Sequence, residues 1–360
     1  MKKYFLLVLF IIILNSCLPW PMENNSIEYI PVTQNFKWET SSSTGMGDSP
    51  IYGISTNGSK YIAVGEGKIA ISSNGINWNE YTIEKNKWNP GGNNFIVFQG
   101  ITWADNKFVA VGYWNNRTVN KGVIAVSDSE GENWVIREAP ILLSSLPNGS
   151  GTLRVDPKLY AITYGSGRFI TVGERGYSAW SSDVIEWTPV WILPFSEYGL
   201  QEINQDVRAI VYGNEVFLAG GTKGKLAYSF NRGMSWNWVA NGLLDSEFNN
   251  ILTLEYGSGK FIAAGTSGKI KTAGIKQFNN QSNWTTVESG INTDITSIVF
   301  GSGNFLAVGL GGRMSLSANG NKWNVVPQGN WNNNDHLYSA IYNSRFITGS
   351  FSKIIYSDLK

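Results

Sequence analysis

The chain has 360 residues, of which 42% are hydrophobic and 13% aromatic, with 40 glycines. Its 28 lysines and arginines balance 27 aspartates and glutamates, and no run of like charge offers the clustered positive stripe that a nucleic-acid groove needs. One cysteine and one histidine exclude an internal disulfide framework and a Cys/His zinc centre, and they leave no credible Ser-His-Asp constellation.

At the N-terminus, Met1-Lys2-Lys3 precedes an apolar run over residues 4–14. A basic start and about eleven apolar residues predict a signal peptide over 1–16, because the run is too short to span a bilayer. Leu14-Asn15-Ser16-Cys17 resembles the bacterial lipoprotein processing motif. That resemblance implies cleavage before Cys17, acylation of its thiol, and a lipid anchor in a bacterial cell envelope, with the soluble domain outside the cytoplasm. Residues 17–35, with Pro19, Pro21 and Pro31, read as a tether.

Residues 36–40 read as one isolated strand. From Tyr52 a single unit then recurs, and its most regular copy covers residues 207–239. Four apolar runs there are separated by Gly213-Asn214, Thr222-Lys223-Gly224 and Asn231-Arg232-Gly233-Met234. Short apolar runs bounded by Gly and Asn predict strands joined by tight turns. The other copies cover 52–81, 100–136, 159–190, 251–284, 295–326 and 337–360. Second-strand glycines are assigned to Gly65, Gly112, Gly173, Gly220, Gly265, Gly309 and Gly349. Four strands repeating every 40–50 residues or so are the signature of a propeller blade. One such sheet has two apolar faces, and radial stacking covers both. The predicted fold is therefore all-β: a seven-bladed β-propeller of four-stranded antiparallel blades over 36–360. Trp78, Trp134, Trp187, Trp236, Trp284 and Trp323 mark the fourth strands. The last unit stops before its tryptophan, so Trp38 is expected to supply it, with strand 36–40 completing the final blade. Six blades plus a partial unit is the competing count.

The turns before these tryptophans carry a second pattern. The stretch from Ser229 through Asn231 and Gly233 to Trp236 resembles the Asp-box of BNR/sialidase-like propellers, with Asn for Asp. Ser127-Asp128-Ser129-Glu130-Gly131-Glu132-Asn133-Trp134 is similar. Shorter variants run from Ser73 to Trp78, from Ser182 to Trp187 and from Ser317 to Trp323. The short polar side chain accepts backbone hydrogen bonds and the glycine tolerates positive φ, so the pattern is a turn device. Sialidases of that class use an arginine triad. Arg154, Arg175, Arg208, Arg232, Arg313 and Arg345 do not fall at matching blade positions.

Insertions concentrate at 82–98, 113–121, 137–157, 191–206, 241–250 and 327–335, which one face of a propeller would share. Loop elaboration on one face is where such scaffolds carry binding. Asp156, Asp206, Asp294 and Asp335 precede innermost strands and are expected around the channel mouth, with Glu174, Arg175, Arg208 and His336 close by. Gathered carboxylates could hold Ca²⁺; solvated loop caps are the plainer expectation, and no cofactor or resident metal is assigned. Trp88, Trp114, Trp191, Tyr198 and Trp331 add aromatic character to the same loops. The sequence thus predicts a non-enzymatic envelope lipoprotein whose long-loop face binds a protein or, second, a glycan. The alternative is a glycan-active hydrolase working through carboxylates such as Asp156, Glu174 and Asp206.

Overall fold

The computed structural model describes residues 36–41, 43–81, 83, 95–115, 120–145, 152–192, 205–239, 242–243, 250–351 and 353–359. Seven four-stranded antiparallel sheets stand as blades around one axis. Within each, strands a to d run outward. The innermost strands a are Ile51–Thr56, Phe95–Ala104, Leu159–Gly165, Val207–Gly213, Ile251–Gly257, Ile295–Gly301 and Ser339–Asn343, for blades 1 to 7.

The seventh blade is built from Ser339–Asn343, Arg345–Gly349 and Ile354–Leu359, with Phe36–Thr40 paired antiparallel along its outer side. Trp38 faces Ser357 across that pair. In blade 1 Asn79 pairs with Ile71, which sets Trp78 opposite Ser72. Ser357 and Ser72 hold the same place, since Ser357 Oγ accepts from the amide of Phe346 and Ser72 pairs with Tyr61, each the first aromatic of its strand b.

Seven apolar cores lie between the blades. Val211, Leu218 and Leu226 of blade 4 pack on Leu254, Phe261 and Ala263 of blade 5, for example. The other six seams repeat this arrangement. Phe108, Phe169, Phe217, Phe261, Phe305 and Phe346 enter strand b of their blades and are fully buried; each such ring contributes about 2–3 kcal/mol of transfer free energy. An aromatic at the end of strand a packs on it, as in Tyr164–Phe169 at 4.7 Å and Phe300–Phe305 at 4.5 Å. The glycine that follows makes room for the next blade: a Cβ on Gly165 would meet the Tyr212 ring at 2.1 Å.

The turns before the tryptophans are held as their composition requires. In blade 1 Asn74 Oδ1 accepts from the amides of Ile76 and Asn77, Ser72 Oγ accepts from Gly75, and Trp78 Nε1 donates to the Gly75 carbonyl. Asp183 and Asn319 repeat the arrangement. Asn231 accepts from Ser235 in the longer version.

Three expectations are corrected by the strand register. Gly220 and Gly349 are not equivalent to Gly65: Gly53 pairs with Val64, whereas Ala209 pairs with Gly220 and Ser339 with Gly349. The equivalent residues are Gly221 and Ser350, one further along; a Gly-Gly pair in blade 4 and a Gly-Ser pair in blade 7 hide the shift. Residues 95–98 and 113–115 are not loop but the ends of ten- and nine-residue strands. Phe95-Ile96-Val97-Phe98 is an unbroken apolar run that continues the sheet, so blade 2 stands taller than the rest. The insertion at 137–157 likewise contains a hairpin, Leu142–Ser145 against Thr152–Val155.

Candidate functional site at the channel mouth

Every strand a of blades 1 to 6 carries a register irregularity at the same place. It lies between Ile51 and Gly53, Phe98 and Gly100, Leu159 and Ala161, Val207 and Ala209, Ile251 and Thr253, and Ile295 and Ser297. One residue is left unpaired in each, and a bulge of this kind re-aims its side chain. The six residues are Tyr52, Gln99, Tyr160, Arg208, Leu252 and Thr296. Tyr338, directly before Ser339, takes the same place in blade 7. All seven line a central channel of about 490 Å³.

The residue that follows is small: Gly53, Gly100, Ala161, Ala209, Thr253, Ser297 and Ser339. Small size lets neighbouring strands a approach closely at the axis. At three seams the side chain is a hydroxyl that accepts from the next blade: Ile298 N to Thr253 Oγ1, Ala340 N to Ser297 Oγ, and Ile54 N to Ser339 Oγ. The last of these crosses from blade 7 to blade 1.

Among the described residues lining it, the mouth is aromatic with a single guanidinium. Tyr52 meets Tyr338 edge-on at 5.4 Å, and Tyr338 meets Phe351 at 5.5 Å. Burial, then the charge of Glu66, pushes the Tyr52 phenol up to about 12. Burial, then Asp206, lifts Tyr160 well above the ordinary phenol range. Both remain neutral hydrogen-bonding groups at physiological pH. Arg208 lies over the Tyr160 ring at 4.3 Å and pairs with Asp206 Oδ2 at 2.8 Å, to which Tyr160 also donates at 3.2 Å.

Below the mouth the channel is aliphatic, lined by Ile54, Ile101, Ile162, Ile210, Leu254 and Ile298. Glu255 interrupts it. Glu255 is half-buried and lines the channel, and burial pushes its pKa up to about 8. Its Oε1 accepts from the Tyr256 amide at 2.9 Å.

The expected ring of acids is dispersed into other roles. Asp206 and Asp294 sit directly before strands a, where Asn250 and His336 are their counterparts. Each reaches back to the preceding blade and accepts from the backbone amide of a left-handed residue in its b–c turn. The donors are Arg175 to Asp206, Lys223 to Asn250, Ser267 to Asp294 and Gly311 to His336 Nδ1, at 2.9–3.3 Å. These side chains fasten blade to blade. They also show that the b–c turns and the entries to strands a share one face. Asp335 is one residue out of step, buried, and paired with Lys353 at 2.7 Å. Asp156 pairs with Arg154 at 3.0 Å, and Glu174 with Lys158 at 3.8 Å. Among the described residues no group of three His, Cys, Asp or Glu converges on a point that could hold a metal ion.

The aromatic candidates divide similarly. Trp331 is not a surface residue: it is 3% exposed and donates to the Gly312 carbonyl, pinning its loop. Trp114 and Trp191 lie half-buried against the cores on either side of blade 2. Trp88, Tyr198 and Cys17 lie outside the described residues. Of the predicted set, only Arg208 belongs to the seven-residue ring. Tyr52, Gln99, Tyr160, Leu252, Thr296 and Tyr338 were legible as the residue between an apolar position and a small one at each strand start, a triplet that recurs seven times.

No family model and no curated protein matches the chain. Solved β-propellers do. YCF48 from Cyanidioschyzon merolae is similar at 14% identity and a TM-score of 0.61, over 89% of this chain and 98% of that one. Virginiamycin B lyase from Staphylococcus aureus is similar at 13% identity and 0.65, over 90% and 100%. A YCF48 bound to a D1 peptide is similar at 12% identity and 0.59, over 90% and 95%. At such identities the likeness is one of fold.

Proposed function

We propose that this chain is a binding module whose channel-mouth face holds a segment of another protein. The ring of seven side chains carries the reading. Six blades each disrupt a strand ladder to aim one residue at the mouth, which a scaffold alone does not require. Tyrosine and arginine, which dominate the ring with Tyr52, Tyr160, Tyr338 and Arg208, are the residues on which protein interfaces concentrate their binding energy. The propeller of YCF48 offers a parallel, since one of its structures has a D1 peptide bound. The turn pattern supports placing the chain among BNR/Asp-box-like propellers. The Leu14–Cys17 motif supports a lipid anchor in the cell envelope, with an envelope or extracellular protein as partner.

Site-specific photo-crosslinking tests this. A benzophenone amino acid replaces Tyr52 or Tyr338 at the mouth, or Phe230 or Ile185 in turns of the opposite face, in full-length chain expressed in its host. Mouth positions should yield a discrete protein adduct that the opposite face does not. Equal adducts from both faces, or none from the mouth, would overturn the reading.

A further inference from the structure

Glu255 has no place in the scaffold logic that accounts for the other inner residues. It is the fifth residue along strand a of blade 5, and Ser55, Thr102, Thr163, Val211, Val299 and Ile341 are its counterparts in register. Six blades therefore fill the level with a small or aliphatic side chain, and one fills it with a carboxyl. Among the described residues Arg208 is the other charged residue lining the channel, and its charge is already taken up by Asp206. The level of Glu255 lies three residues further in, roughly 10 Å along the strand. Lys260 on strand b is turned to Asn321 at 3.1 Å. No coulombic partner offsets the burial of the Glu255 carboxyl among the described residues.

An isolated carboxyl is costly to keep charged in such a place, and a cation supplied from outside would offset that cost. The channel is suited to deliver one. Its volume of about 490 Å³ falls within the ~300–1,000 Å³ of small-ligand sites. Tyr52 and Tyr338 at the mouth present aromatic rings that attract a passing cation. The aliphatic belt beneath them would cover a hydrocarbon stem.

We propose that the central channel binds a primary ammonium or guanidinium on a narrow aliphatic stem, with its positive end paired to the Glu255 carboxylate. The site does not rest on the protein-binding reading, because a free amine could occupy it with no partner on the mouth.

Titration calorimetry on the full-length chain tests it, with n-butylammonium as probe and n-butanol as its neutral counterpart. Binding needs the ionised acid, so affinity should rise about tenfold per pH unit between pH 6 and 8 and level off above. Uptake should release a proton, seen as a heat that varies with the buffer. Glu255→Gln should weaken n-butylammonium at least about tenfold at pH 8.5 and abolish the pH slope, while leaving n-butanol unchanged. Gln is isosteric, and removing a lone buried acid should leave Tm at or above the wild-type value, which separates lost binding from lost fold. N-acetyl-lysine amide as a third probe distinguishes the two sources of the cation. Tighter binding than n-butylammonium identifies a peptide side chain, and weaker binding a free amine. Absence of n-butylammonium binding at millimolar concentration and pH 8.5, or equal binding by Glu255→Gln, would overturn the proposal.

Discussion

Replacing Gly265 by alanine isolates one physical cause, the close approach of two backbones at the inner edge of a blade. Gly265 has φ −176°, outside the left-handed region that favours glycine, so the cost comes from the close approach. A Cβ there would lie 1.7 Å from the Asn250 carbonyl oxygen. An unstrained carbon–oxygen contact needs about 3.3 Å, so that carbonyl would have to withdraw by roughly 1.6 Å. It cannot do so cheaply, since it accepts from the Thr266 amide at 3.3 Å and leads directly into strand a. Overpacking of a rigid site costs about 3 kcal/mol, and for a chain of this size each kcal/mol lowers Tm by about 2 °C. Gly265→Ala should therefore lower Tm by about 6 °C in a thermal scan. Gly220→Ala, whose Cβ would meet only the Ile251 side chain at 2.8 Å, should cost less. Gly274→Ala, with its nearest contact at 3.6 Å, should be close to neutral. Equal stability of all three variants would refute the steric argument. The same backbone approach recurs at Gly65, Gly112, Gly173, Gly221 and Gly309, so the cost should recur there too.

Three further outcomes follow from named contacts. Deleting residues 1–41 removes Phe36 and Trp38 from the core between blades 6 and 7 and should destabilise the propeller by about 2 kcal/mol or more, given the usual cost of truncating aromatic packing; an unchanged Tm would show that the strand does not hold the ring. Asp294→Ala should cost about 1 kcal/mol and speed hydrogen exchange at the Ser267 amide, whereas Asp294→Asn, with the group blade 5 uses at Asn250, should preserve both; an alanine variant with wild-type exchange would remove the blade-to-blade role. The amides of Glu186 and Ile185 hold the Asp183 carboxyl below its ordinary range. A depressed folded pKa contributes stability that is present above the unfolded value of about 4 and is lost as pH falls through the folded one. Asp183→Asn keeps the acceptor, so it should match wild type near neutrality and lose less stability in acid. Superimposable acid limbs would count against that assignment.

Architecture was readable because it rests on local chemistry repeated many times. Short apolar runs, Gly-Asn turns and one tryptophan per unit each report a strand or a turn without knowledge of any distant residue. Errors arose where one more residue on a strand changes what faces what. Gly220 and Gly221 are equally good turn-flanking glycines in the sequence, and only the pairing of Ala209 with Gly220 decides between them. Residues 95–98 looked like insertion because their unit was aligned from Gly100, and only the pairing with 112–115 made them strand.

The site was legible in part. Arg208 was singled out, yet as one of a ring of charges rather than as one of seven bulge residues. A bulge is a mismatch between two strands, so the recurring apolar–x–small triplet takes on its meaning only once the register is known. Asp206, Asp294 and His336 were placed at the mouth, with loop capping the plainer expectation for the acids and a ligand the sharper one; each accepts from an amide of the neighbouring blade. Trp331 was a candidate for the binding face or for pinning its loop, and it is buried under that loop.

By itself, then, the sequence determined the repeat and the blade and favoured seven blades over six, because periodicity and turn chemistry are properties of short stretches. Only the tertiary structure decided which side chains share the channel. That depends on the register of strands, the small residue that lets neighbours close on the axis, and the lone Glu255 at a level where six other blades place no charge.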